Sequence, residues 1–215
     1  ATSLADGDSF GSSVAFLGDV DGDGVGDIAV GAPGDDGASG ANTGAVYIIF
    51  MNADGTSKGS SKIADGTDPS VLLSLDANDE FGRSLAFLGA QGDGTFSLAV
   101  GSVNAVSVLS LRVNAGAASL ESVSTLSPPA GLADDSFGSS ISSLRDVYSG
   151  PAASSPAGDL AVGAPASGTV CIITLDGTLV EEFRSPIRDS GSEFGAALAI
   201  GEDLDGNGVP EQLIG

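Results

Sequence analysis

The chain has 215 residues, 41% of them hydrophobic, which is enough for a real core and too apolar for a disordered segment. Its 7 Lys and Arg against 29 Asp and Glu leave a formal charge of −22, which argues against nucleic acid and anionic membranes and is compatible with cation binding. There is no histidine, so the usual catalytic triads and most zinc sites are unavailable, and the single Cys171 has no partner for an internal disulfide.

Taken in order, the chain reads as short apolar runs separated by glycine, aspartate and asparagine. The first copy has SSVAFLGD after Phe10-Gly11, then DIAVGAP at 27–33, GAVYIIFMNADG at 44–55 and a weaker run around Ser61 to Ile63. The second has RSLAFLGA after Phe81-Gly82, SLAVGS at 97–102, NAVSVLSLRVNAG at 104–116 and a run from Leu120 to Leu126. The third has SSISSLRD after Phe137-Gly138, DLAVGAP at 159–165, GTVCIITLDG at 168–177 and a run from Leu179 to Phe183. The fourth opens at Phe194-Gly195 with AALAIGED and reaches EQLIG at 211–215. The approximate repeats are 1–66, 67–126, 127–184 and 185–215, the last incomplete.

These runs are β-branched and bounded by turn residues, which predicts strands, and no window carries a long helical period. Val46, Ile48 and Phe50 alternate with Ala45, Tyr47 and Ile49, so both faces of that strand are apolar and both are expected to be buried. Four-stranded sheets stacked face to face and repeated radially make a β-propeller. The expected fold is all-β: antiparallel four-stranded blades, about three and a half of them. Cys171 lies in TVCIITL and is expected to be a buried structural thiol.

Four copies of FG, then an Asp-rich or equivalent loop, then GAP or its variant, resemble the FG-GAP repeat family, which includes the propeller of integrin α subunits and microbial and algal surface proteins. The resemblance covers essentially the whole chain. It implies one blade per repeat and usually a seven-bladed ring, so the chain is expected to be part of a longer propeller. It also implies calcium at the hairpin between the first two strands of a blade.

Residues 19–27 read DVDGDGVGD. Asp19, Asp21, Asp23 and Asp27 stand at positions one, three, five and nine of a tight loop, and the Val25 carbonyl at position seven can complete a shell of oxygens. Calcium takes six to eight oxygens in flexible geometry, which suits this set better than magnesium. Gly22, Gly24 and Gly26 are expected to supply positive φ angles. An EF-hand would need glutamate at position twelve, where this chain has Val30 inside a predicted strand. The fourth copy carries DLDGNGVPE, with Asp203, Asp205, Asn207 and Glu211 at the same offsets and Val209 as the carbonyl; each loop begins nine residues after its Phe. Copy two keeps only Asp93, and copy three separates Asp146 from Asp159 by a long insertion, so neither is assigned a metal.

The remaining features have plainer readings. The FG phenylalanines are core anchors. Arg83, Arg112 and Arg184 are surface partners for the acidic field. Ser12, Ser13, Ser139 and Ser140 lack a base and are not nucleophiles. The function expected is a non-catalytic, calcium-binding extracellular module for adhesion or for a structural surface assembly such as a filament or matrix. The alternative is an accessory propeller of a secreted enzyme such as a phospholipase. The expected partners are calcium and proteins or glycans at the cell surface, or the rest of the same propeller, with no nucleic acid and no membrane insertion.

Overall fold

A computed structural model describes residues 4–66, 73–91, 93–130, 132, 136–144, 158–186, 193–201, 204–205 and 211–215. It is all-β apart from one short 3₁₀ turn, Pro165–Ser167. The first sheet is β1 (Ser13–Gly18), β2 (Asp27–Ala32), β3 (Ala45–Met51) and β4 (Ser57–Ala64), paired in that order. The second is β5 (Ser84–Ala90), β6 (Thr95–Ser102), β7 (Ala105–Asn114) and β8 (Ala117–Leu126). The third is β9 (Ser140–Leu144), β10 (Asp159–Ala164), β11 (Thr169–Ile173) and β12 (Leu179–Arg184), and β13 (Leu198–Ile200) pairs with β14 (Gln212–Ile214). Every pairing is antiparallel between consecutive strands. β1 packs on β5, β5 on β9 and β9 on β13, so the first strands of successive sheets line one side. The sheets are successive blades of a β-propeller.

Strands buried on both faces feed two different cores. Leu98 and Val100 of β6 enter the core between the first and second blades, with Val46, Ile48, Phe50 and Leu109. Ala99, between them, enters the next core with Leu160, Val162, Cys171 and Ile173. Val170 and Ile172 turn the other way, toward Phe194, Leu198 and Ile214 of the last sheet. The Cys171 side chain is buried, as its apolar run implies. The strand that sequence places around Ser61 to Ile63 is longer, because the polar Ser57–Ser60 stretch also pairs with β3 as an edge.

The FG and GAP motifs meet in one recurring joint. Within each copy, the amide of the FG glycine donates to the carbonyl of the glycine that ends the second run: Gly11 to Gly31 (2.9 Å), Gly82 to Gly101 (3.0 Å), Gly138 to Gly163 (3.1 Å) and Gly195 to Gly215 (2.8 Å). Between copies, the carbonyl of the FG glycine accepts the hydroxyl of a serine on the preceding blade: Ser13 to Gly82 (2.7 Å), Ser84 to Gly138 (2.7 Å) and Ser140 to Gly195 (2.6 Å). A Cβ at Gly31, Gly101 or Gly163 would fall on that carbonyl. All four FG glycines have φ between 90° and 97°, where a side chain is strained.

Phe81 and Phe137 are fully buried anchors. Phe10 is not: it is exposed on the outer face of the first blade, edge-on to Tyr47 at 5.4 Å. Val14 and Phe16 on the same face are also exposed. On that face Asp35, almost fully buried, accepts from the Tyr47 hydroxyl (2.9 Å) and pairs with Lys62 (2.5 Å), tying the loop after GAP to β3 and β4.

Two substitutions separate the parts of the joint. Gly101→Ala forces a methyl group onto the Gly138 backbone and is expected to cost about 2–3 kcal/mol. Ser84→Ala removes one buried hydrogen bond and is expected to cost about 1 kcal/mol. Urea unfolding measures both, and equal costs, or no cost for Gly101→Ala, would contradict the joint.

Candidate metal centre

The loop at 19–27 joins β1 to β2, and the meander brings the β3–β4 hairpin to the same end of the sheet. The loop folds on its own carboxylates. Asp19 accepts the amides of Gly22 (2.7 Å), Asp23 (3.1 Å) and Gly24 (2.8 Å). Asp27, fully buried at the start of β2, accepts the amides of Val20 (3.1 Å) and Met51 (3.0 Å), so it ties the loop to β3. Gly22 and Gly24 have φ of 84° and 89°. Gly26 does not adopt positive φ; a Cβ there would meet the ring of the exposed Phe16.

Ligand atoms of Asp19, Asp21 and Asp27 lie within 4.8 Å of one another. The Asp21 side chain is only 9% exposed. One of its oxygens, Oδ1, is buried without a hydrogen-bond partner. A buried carboxylate oxygen left unpaired is costly unless a cation meets it. A carboxylate has about four lone-pair sites, so the amide bonds at Asp19 and Asp27 leave acceptor capacity toward an ion. The donor set is all oxygen and strongly anionic, which fits calcium.

The fourth aspartate is engaged differently. Asp23 accepts the Val25 amide (2.8 Å) and pairs with Lys58 of β4, which also contacts Asp21 at 2.7 Å. The Lys58 hydrogen bond, then the Val25 amide, hold the Asp23 carboxyl below its ordinary range. Hydrogen bonds from Lys58 to Asp21 and Asp23 push its ammonium above the ordinary lysine value. Lys58 lies outside the loop and outside its motif. Its signal in the sequence is the meander itself, which returns residue 58 to the same sheet end as residues 19–27.

In the fourth copy, Asp203, Asn207 and Val209 lie outside the described residues. Glu211 and Asp205 are described, and Glu211 accepts the Leu204 amide through its carboxylate. That is the bond Asp27 makes to Val20, from position nine to position two of the loop. The longer glutamate arm therefore keeps this contact.

The second copy shows what replaces the acidic loop. Gln91 donates to the Thr95 carbonyl at 2.6 Å, and Asp93 accepts the Thr95 amide (3.0 Å) and hydroxyl (2.6 Å). The same Asp-Gly-Thr turn closes β3–β4 at Asp54 to Thr56 and β11–β12 at Asp176 to Thr178. Arg112 covers this loop, 3.7 Å from the Asp93 carboxylate and 3.4 Å from Glu121. Arg83 and Arg184 pair with Glu80 and Glu182, so all three arginines are surface partners. Asp146 of the third copy lies outside the described residues. Ser13 and Ser140 are joint donors, which accounts for serine beside FG without catalysis.

The threonine hydroxyl holds Asp54 below its ordinary value of 3.8. Because the folded value is depressed, this contribution to stability is present at neutral pH and is lost as pH falls through the folded midpoint. Thr56→Val is expected to raise the Asp54 midpoint toward 3.8 and leave Asp176 unchanged, read by NMR titration of the carboxyl carbons. An unmoved Asp54 midpoint would contradict the assignment.

Residues 10–49 match the family model of the FG-GAP repeat. Over 108 residues, 48% of the chain, the sequence is 38% identical to integrin alpha-X of the mouse, Mus musculus. That match spans 8% of the integrin's own length. The match to the repeat, the integrin likeness and the recurring glycine joint agree: residues 10–49 carry an FG-GAP repeat, and about half of the chain is similar to an integrin α chain.

Proposed function

We propose that this chain is a non-catalytic, calcium-binding propeller module that works outside the cell, in adhesion or in a structural surface assembly. The observation that carries the reading is the buried, unpaired Asp21 Oδ1 beside Asp19 and Asp27. Asp19, Asp21 and Asp27 would hold the ion, with Asp23 and the Val25 carbonyl as further donors. Calcium would supply the charge that lets these carboxylates approach, and the chain supplies the rest: amides that orient Asp19, and the Asp27 bond that fixes the loop to β3. Asp203, Asp205, Asn207, Val209 and Glu211 form a second such loop in this proposal, supported by the shared contact of Glu211 with the Leu204 amide. The repeats proposed are 1–66, 67–126, 127–184 and 185–215.

The extracellular setting and protein partners are supported by the likeness to an integrin α chain. The charge of −22 adds to this, since a strongly acidic surface with calcium at its loops suits a medium rich in calcium. Among the described residues no helix is long and apolar enough to cross a membrane. The non-catalytic reading is supported by the absence of histidine from the sequence and by the use of Ser13, Ser84 and Ser140 as joint donors.

Calcium at about a hundred times its Kd is expected to raise the melting temperature by about 5–10 °C, and chelation to reverse it. Asp21→Asn is expected to weaken calcium binding at least about tenfold in calorimetry, because a neutral amide replaces the buried anionic donor. No binding heat at millimolar calcium, together with an unmoved melting temperature, would overturn the proposal.

A further inference from the structure

We infer that Lys58 is a built-in counter-cation of the first loop, which competes with calcium for Asp21 and Asp23 and so sets the affinity of the site. This rests on the calcium reading above and adds what regulates it. Three observations carry it. First, the Lys58 ammonium contacts Asp21 at 2.7 Å and also pairs with Asp23, so it neutralises part of the loop when no metal is present. Second, its occupation is incomplete: Asp21 Oδ1 stays buried and unpaired although Oδ2 of the same carboxylate is bound to Lys58. One ammonium against Asp19, Asp21, Asp23 and Asp27 leaves the loop strongly anionic. Third, Asp23 is the one loop aspartate that stands outside the three-carboxylate cluster, and it is the one whose other partner is Lys58 and the Val25 amide alone.

Lys58 is suited to leave. It lies at the start of an edge strand, beside an exposed hairpin, with its side chain about a quarter exposed. A lysine stem is flexible and its ammonium is a point charge, unlike the fixed fork of an arginine. The second blade shows the limiting case: with a single aspartate in its loop, Arg112 and the Asp-Gly-Thr turn suffice, and no carboxylate cluster remains there among the described residues. The first blade has the same kind of protein cation but more negative charge than that cation can balance. Calcium binding therefore displaces Lys58 into solvent and frees Asp23 to return to the loop as a fourth carboxylate.

The test is calcium titration of the full chain by calorimetry, alongside melting curves in chelator, for wild type, Lys58→Met and Lys58→Arg. A divalent ion and a single positive charge within a few ångströms repel enough to matter even at high dielectric, so Lys58→Met is expected to bind calcium about tenfold more tightly. The same variant is expected to melt lower than wild type in chelator, because the carboxylates lose a side-chain cation. Lys58→Arg keeps the charge and is expected to stay near wild type. A lysine that merely supports the fold would lower both the melting temperature and the affinity, so the opposed directions carry the test. If wild type binds calcium and Lys58→Met binds equally or more weakly, the competition is overturned while the calcium reading stands. If neither binds at millimolar calcium, the calcium reading is overturned and the competition with it. Should Lys58→Met fail to fold, Lys58→Gln gives the same comparison.

Discussion

The contact between one FG glycine and the blade before it is what the rest of the structure depends on. Its amide is spent within its own blade, on the glycine that closes the second run. Its carbonyl is spent on the preceding blade, on a serine hydroxyl. The carbonyl can reach that far only because the glycine opposite has no Cβ. The glycine of GAP in one blade and the FG glycine of the next, Gly31 with Gly82, Gly101 with Gly138 and Gly163 with Gly195, are thus halves of one close approach, which gives FG and GAP a single physical meaning. Blade spacing follows from this joint, and the apolar cores between sheets fill the distance that it sets.

The acidic loop is built on this frame rather than being part of it. The amide half of the joint recurs in all four copies and the serine half at all three junctions between them, whereas among the described residues the clustered carboxylates occur in the first copy, and the joint persists where the loop has become an Asp-Gly-Thr turn. In the first blade the loop is held in shape by backbone amides that point at Asp19 and Asp27, so the carboxylates are oriented before any ion arrives. What remains unsatisfied is charge, concentrated at the buried Asp21. Lys58 relieves part of it, and the remainder is the physical argument for a divalent ion.

Much of this was legible in the sequence, because the strands carry local signals. Alternation of apolar residues on both faces of 45–50 gave the buried strand, and the fourfold FG gave the repeat. Positions that depend on non-local partners were not legible. Ser13, Ser84 and Ser140 sit at one offset after FG, yet their acceptors lie 69, 54 and 55 residues away. Gly26 is expected to serve backbone curvature by a positive φ, and it does not adopt one. Phe10 carries the same motif as Phe81 and Phe137, but burial of that ring depends on a preceding blade, which sequence spacing alone does not supply. Four aspartates at ideal spacing suggested one convergent set. The structure divides them because Lys58, brought back by the β3–β4 hairpin, draws Asp23 aside.

The most direct measurement is a crystal structure of the chain grown in saturating calcium, with the ion located by its anomalous scattering. The account predicts a peak bounded by Asp19, Asp21 and Asp27, with Lys58 turned away, and no peak at the turn of residues 91–95. Empty carboxylates in the first loop under those conditions, with Lys58 still paired to Asp21 and Asp23, would contradict it.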